Sequence, residues 1–301
     1  MPLMSAHSPE PQPVLTYLRQ PSKPALQLPA GACDAHVHVF GPASDYPYAP
    51  QRHMTPVDAP RETLFALHRH LGIERCVIVQ SMVHGQDNRV VEDAIAAGQG
   101  RYLGVALVDV GVADAELRRL AAAGFRGVRF NFMQRLGAAS PVEPIIALTR
   151  RLAEVGMHLQ VHFESALIHM LAQPLARSAV PVVIDHMGRV DATLGAGHAD
   201  FQALLRLMEN PLFRVKVSGI DRIDALAPSD RRYAAGEALA RELVARFPER
   251  CLWGTDWPHP NHTHVPDDGA LVDALARVMP DRTHLEQVLV HNPLHFYGFS
   301  A

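Results

Sequence analysis

The stretch CDAHVHVFGP, residues 33–42, has the cadence of a buried β-strand, yet two histidines, His36 and His38, interrupt its apolar run. Two residues apart on an extended chain, they share one face. A strand buried on both faces normally carries Val or Ile at such positions. Imidazoles placed there must pair with something or bind something, because a buried polar group without a partner is costly.

Seven further runs have the same strand character: CVIVQ (76–80), YLGVALVD (102–109), GVRFN (127–131), MHLQVHF (157–163), PVVIDH (181–186), FRVKVSG (213–219) and CLWGTDW (251–257). Between them lie segments of helical periodicity, PRETLFALHRHLG (60–72), DAELRRLAAAG (114–124), EPIIALTRRLAEVG (143–156) and RRYAAGEALARELVARF (231–247), several closed by glycine. Strands alternating with helices predict βα units and a parallel sheet. Eight strands close a (β/α)8 TIM barrel, and about 270 residues after the N-terminal segment suit its usual size of about 250. The rival, an open doubly wound sheet, lacks the GxGxxG or P-loop that would mark it. The expected organisation is an irregular, Pro-rich arm over 1–30 followed by one α/β barrel domain over 31–301, without internal repeats.

Composition narrows the function classes. The chain has 301 residues, 48% hydrophobic and 20% charged, with a formal net charge of −3. Basic residues form no runs, which argues against nucleic acid and anionic membrane surfaces as partners. Three cysteines, Cys33, Cys76 and Cys251, make neither a disulfide framework nor a CxxC site. The first thirty residues lack the apolar core of a signal peptide, and no run of about 18 apolar residues suggests a span. A cytoplasmic location is the expectation; oligomeric state stays open.

In a barrel of this kind, chemistry gathers at the C-terminal ends of the strands. The polar residues there form an ordered series: His36 and His38 on strand one, Arg129 and Asn131 on four, His162 and Glu164 on five, Asp185 and His186 on six, Ser218 with Arg222 beyond on seven, Thr255 and Asp256 on eight. His186 could be a core hydrogen-bonding residue and Asp256 a turn cap, but their register with the histidine pair favours a shared pocket. His84, in the loop after strand two, is a further candidate contact, with a purely structural reading beside it.

CDAHVHVFGP, QSMVHGQDN, GFRGVRFN, PVVIDHMGR, KVSGIDR and WGTDWPHPN resemble, in order from about residue 31 to 298, the amidohydrolase superfamily in its lactone-hydrolysing branch. The resemblance implies a (β/α)8 barrel and hydrolysis of lactones that carry carboxylates, such as a pyrone dicarboxylate. It assigns the chemistry to His36, His38, His186 and Asp256, and the grip on substrate carboxylates to Arg129, Arg135 and Arg222. Two positions depart from the branch. Met54 and His162 stand where it has substrate-contacting tyrosines, so a related lactone is expected more than the pyrone itself.

His36, His38, His162 and Asp256 form an N/O donor set that suits one Zn²⁺ with an open water position. The same imidazoles could instead polarise a carbonyl directly, as metal-free members of the branch do. The only lysines, Lys23 and Lys216, lie off strand four, which argues against a two-metal site bridged by a carbamylated lysine. The expected roles are Asp256 as general base toward water, His186 at the developing oxyanion, and the arginines on carboxylate or sulfonate groups. The alternatives are a decarboxylase or hydratase of an unsaturated dicarboxylate, a lactone isomerase, and a degenerate barrel that only binds acidic metabolites. The last would have lost Asp256 or the histidine pair, and both are present.

Overall fold

The computed structural model describes residues 12–133, 141–224, 233–261 and 264–299. Eight strands, β1 (Cys33–Val37), β2 (Arg75–Val79), β3 (Tyr102–Leu107), β4 (Phe125–Phe132), β5 (His158–Phe163), β6 (Val182–Ile184), β7 (Phe213–Lys216) and β8 (Cys251–Leu252), pair in sequence order. Each neighbour pair from β1–β2 to β7–β8 is parallel. The ring closes where the chain after β8 meets β1, through Ala35 N to Trp253 O at 2.7 Å, Asp256 N to His36 O at 2.8 Å and His38 N to Trp257 O at 2.7 Å. Gly254 sits at this seam, where an added Cβ would lie 2.5 Å from His36 N, so the close approach of the two strands requires glycine.

Among the described residues, eight helices cover the outside: α1 (Arg61–Leu71), α2 (Arg89–Ala97), α3 (Asp114–Ala122), α4 (Val142–Glu154), α5 (Ile168–Leu175), α6 (Ala199–Met208), α7 (Ala234–Arg246) and α8 (Asp268–Val278). Each lays an apolar stripe on the barrel. In α1 the stripe is Leu64, Leu67 and Leu71, at the spacing that brings side chains to one face, and each such residue contributes roughly 1.5–3 kcal/mol on burial. Gly72 ends α1 at φ 83°, a left-handed turn whose N–H returns to His68 O. Two short helices follow, α9 (Arg282–Glu286) and α10 (Asn292–Tyr297).

The barrel interior divides along its axis. At one end, Cys33, Ala35, Val77, Val79, Leu103, Val105, Val183 and Leu252 pack with Tyr297 and Phe299 into an apolar plug. Toward the other end the inward side chains turn polar, with His36, His38, Gln160, His162 and Lys216 buried. The cysteines are buried free thiols. Residues 12–30 carry no helix or strand beyond one bridge, Val14 to Pro56, and reach α8 through Ser22 to Asp267 and Leu26 to Asp273. Among the described residues no helix is long and apolar enough to cross a membrane.

Candidate active site

A β-bulge aims the histidine pair. Asp34 pairs with Cys76 and Val37 with Ile78, so three steps along β1 match two along β2. Cys33 and Ala35 face the apolar plug, whereas Val37 and Val39 join the core under the helices. The extra residue therefore places Ala35 and His36 on the same side and sends His36 and His38 into the barrel. Asp34 is left on the outside, where Oδ2 accepts from Thr255 Oγ1 at 2.6 Å and ties β1 to the segment after β8. Simple alternation predicts a shared face for His36 and His38 but not the shift in phase behind it.

The other two central groups sit on uncommon backbone. His186 and Met187 have φ of 47° and 52° in the turn that follows β6, and Asp256 has φ 65° after β8. Left-handed conformations are disfavoured for residues other than glycine, costing on the order of 1–3 kcal/mol each, and they recur where function dictates the direction of a side chain.

Asp256 is the hub. Its Oδ1 lies 3.3 Å from His38 Nε2, 3.6 Å from His36 Nε2 and 3.7 Å from His186 Nε2, and Oδ2 accepts from Arg222 Nη2. Burial would push this carboxyl upward, but the Arg222 charge, with His186 next, holds it well below the ordinary carboxylate range, so it is ionised at neutral pH. On the other side of His36 lies a second carboxylate, Asp185. Its Oδ1 is 3.3 Å from His36 Nδ1 and 3.6 Å from Lys216 Nζ, and its Oδ2 accepts from Arg129 Nε at 2.8 Å. Burial opposes its ionisation as well, and Arg129 outweighs it, with His36 and Lys216 following.

His36, His186 and His162 are held neutral by a common cause. Burial, then the nearby Lys216 charge, pushes His36 down to about 4. Burial holds His186 and His162 well below their usual range. Each ring has a defined partner: His38 Nδ1 donates to Val79 O at 2.6 Å, His186 Nδ1 meets Ser218 Oγ at 2.9 Å, and His162 Nδ1 meets Asn131 Oδ1 at 3.1 Å. Lys216, fully buried on β7 and pushed down to about 8 by burial, bonds to His36 Nδ1 at 3.2 Å and Gln160 Oε1 at 2.9 Å.

The structure brings His36, His38, His186 and Asp256 into one cluster, with Arg129, Arg222 and His162 at its edge. His38, Arg129, His162, His186, Arg222 and Asp256 line a narrow cavity of about 30 Å³, room for water. A wider one of about 600 Å³ shares Met82 and Arg129 with it and is also lined by Asn131, Tyr48 and His84. His84 is tied to backbone at both ring nitrogens, accepting from Gly41 N at 3.1 Å and donating to Pro47 O at 3.2 Å, and borders the wider cavity. Arg129 and Arg222, expected as an open anion clamp, each also hold an aspartate. Met54 lines neither cavity. Arg135 lies outside the described residues.

For a metal, the donor atoms that converge within 4.8 Å of one another belong to His36, His186 and Asp256, a set able to hold one cation. This differs from the donor set expected from sequence in using His186 in place of His38 and His162. His162 is drawn toward Asn131, and its ring centroid stays 5.6 Å from that of His186. The buried Nε2 atoms of His36 and His162 have no hydrogen-bond partner, as ligand or substrate-facing atoms would. Lys216 and Gln160 escaped the sequence-derived site, and Asp185 was read only as a strand-end residue. A signal was present: Gln160 and Lys216 share the inward register of His162 and Ser218 and are fully buried.

Known proteins share this fold. Over 290 residues, 94% of this chain and 95% of the relative, the sequence is 42% identical to the 2-pyrone-4,6-dicarbaxylate hydrolase of Comamonas testosteroni. It is 39% identical over 278 residues to the 4-sulfomuconolactone hydrolase of Hydrogenophaga intermedia, covering 90% of each. Among solved structures, one from Acinetobacter baumannii, described as a probable 2-pyrone-4,6-dicarboxylic acid hydrolase with citric acid bound, superposes with a TM-score of 0.79 at 26% identity, covering 89% of this chain and 100% of that one. The amidohydrolase family model matches residues 33–299, which spans the barrel from β1 to the end of α10. The chain belongs to the amidohydrolase family.

Proposed function

We propose that the protein hydrolyses a lactone bearing carboxylate or sulfonate groups. The observation that carries this reading is the ionised Asp256 ringed by three imidazoles at 3.3–3.7 Å, with two arginines beside it. His38 has committed its Nδ1 proton to Val79 O, so its Nε2 offers a lone pair opposite Asp256 Oδ1. A water between these two acceptors can donate to both, which orients its oxygen for attack on the acyl carbon. Asp256 takes the proton as the C–O bond forms. His36 and His186 stand where N–H groups can meet the carbonyl oxygen as it becomes an oxyanion. Collapse breaks the ring C–O bond, the proton held by Asp256 passes to the departing ring oxygen, and the carboxylic acid formed releases its remaining proton to solvent as a carboxylate.

Arg129 and Arg222 border the cavity and can add guanidinium N–H donors toward substrate anions, with Arg135 as a third candidate. Both hydrolase relatives are named for acidic lactones, one a dicarboxylate and one a sulfonate. His162 and Met54, standing where the branch has tyrosines, favour a related lactone over the pyrone dicarboxylate.

A second reading of carbonyl polarisation rests on the convergence of His36, His186 and Asp256. Those three would hold one divalent ion, Zn²⁺ best matching mixed nitrogen and oxygen donors, and the ion would supply Lewis acidity and a more acidic water. Coordination through His36 Nε2 requires its proton on Nδ1.

The test is turnover of purified protein against 2-pyrone-4,6-dicarboxylate, 4-sulfomuconolactone and sugar-acid lactones, with and without chelator. Ring opening of at least one acidic lactone is expected. Failure on the whole panel, CO₂ release, or a product that keeps its ring would overturn the hydrolase reading.

A further inference from the structure

We infer that Lys216 is a positioning residue that fixes His36 in the tautomer with its proton on Nε2, so that His36 presents an N–H to the site while His38 presents a lone pair. Lys216 is fully buried on β7 and lines neither cavity at the mouth, so it acts only through its neighbours. Its Nζ meets His36 Nδ1 at 3.2 Å and Gln160 Oε1 at 2.9 Å. An ammonium group has donors and no acceptor, so Nδ1 must receive the bond, and a neutral imidazole that accepts at Nδ1 carries its proton on Nε2.

The rival claim on Nδ1 comes from Asp185 Oδ1 at 3.3 Å, an acceptor that would draw the proton to Nδ1. That 3.3 Å contact lacks good hydrogen-bond geometry, although the carboxylate's charge is felt at the ring. Lys216 lies 3.6 Å from it, and Arg129 holds the other oxygen at 2.8 Å. The lysine thus takes the position on the ring that the carboxylate would otherwise claim and partly neutralises the carboxylate as well.

Two histidines of one HxH motif then have opposite polarity at equivalent atoms. His36 Nε2 donates and His38 Nε2 accepts, 3.6 and 3.3 Å from the same Asp256 oxygen. Ester hydrolysis needs one group of each kind, a donor for the carbonyl and an acceptor for water. The inference rests on the hydrolase reading for what the proton does and on the hydrogen bonds alone for where it is.

Long-range ¹H–¹⁵N correlation spectra of the full chain labelled with ¹⁵N-histidine, without added ligand, read the tautomer directly, with His36 signals assigned by their loss in His36→Gln. Expected is a protonated-type Nε2 and an unprotonated-type Nδ1 for His36, exchanging character in Lys216→Met as Asp185 captures the proton. In that variant kcat for the best lactone should fall about 10- to 100-fold, with KM changed by less than about threefold. A proton on Nδ1 in the wild type, or an unchanged His36 pattern in folded Lys216→Met, overturns the inference. Should Lys216→Met fail to fold, the wild-type spectrum decides alone. A protein that hydrolyses no lactone but shows the expected spectrum refutes the proposed reaction and leaves the tautomer assignment standing.

Discussion

On either side of His36 the barrel buries an arginine–aspartate pair, and the two differ in what surrounds them. Asp185 is sealed beneath the ring between Lys216 and Arg129, the arginine itself reaching the cavity. Arg222 and Asp256 face the cavity, and Asp256 looks onto three imidazoles rather than a second cation. A buried ion pair is weak support for stability, because desolvation offsets most of the attraction, but removing one partner strands the other. The same chemical unit can therefore serve as an internal brace where it is closed and as a poised base where it is open.

Substitutions that preserve shape separate the two. Asp256→Asn keeps a residue tolerant of the left-handed backbone but removes the base, so kcat in a lactone assay should fall by roughly 10² to 10⁴-fold with the fold intact by circular dichroism. Near wild-type turnover would end the role given to Asp256. Asp185→Asn should act chiefly on stability, costing about 3–5 kcal/mol in denaturant unfolding because Arg129 and Lys216 lose their counter-charge. An unfolding free energy within 1 kcal/mol or so of wild type would mean the sealed pair braces nothing. Arg222→Lys and Arg129→Lys keep charge and lose the planar fork, and each should reduce kcat/KM for acidic lactones by about 1–3 kcal/mol.

The smallest effect concerns the loop that carries Asp256. His259 Nε2 lies 3.0 Å from Asp268 Oδ1, both buried, and His259 N bonds Asp256 O at 2.7 Å. Burial lowers the His259 pKa, but Asp268 outweighs it and the net shift is upward. A raised folded pKa contributes stability that is complete below the unfolded value of about 6.5 and is lost as pH rises through the folded value. The Tm of the wild type relative to His259→Gln should therefore narrow as pH rises from 6 upward. A gap that widens with pH would contradict the sign.

The eight strands were legible because each is a short apolar run bounded by turn residues, and the cluster was legible because polar residues recur at the same end of those runs. What sequence could not carry is phase and pairing. The bulge in β1 depends on how residues 33–37 register against β2, and nothing in CDAHV announces it. Lys216 reads as an anomaly in FRVKV, but its partners His36 and Gln160 are 180 and 56 residues away. Arg129 and Arg222 read as open clamps because their aspartates sit on other strands. The convergence of His36, His186 and Asp256, rather than His36, His38, His162 and Asp256, depends in the same way on pairing across strands, as does the contact of His162 with Asn131.

The central claim is that water held at Asp256 attacks the acyl carbon of a lactone. Turnover of an acidic lactone in H₂¹⁸O, followed by mass spectrometry of the product, tests it most directly. One ¹⁸O per molecule, located in the newly formed carboxylate with the ring open and no CO₂ released, is the predicted result. An unlabelled product of unchanged mass, or label on the alcohol-derived oxygen, would contradict it.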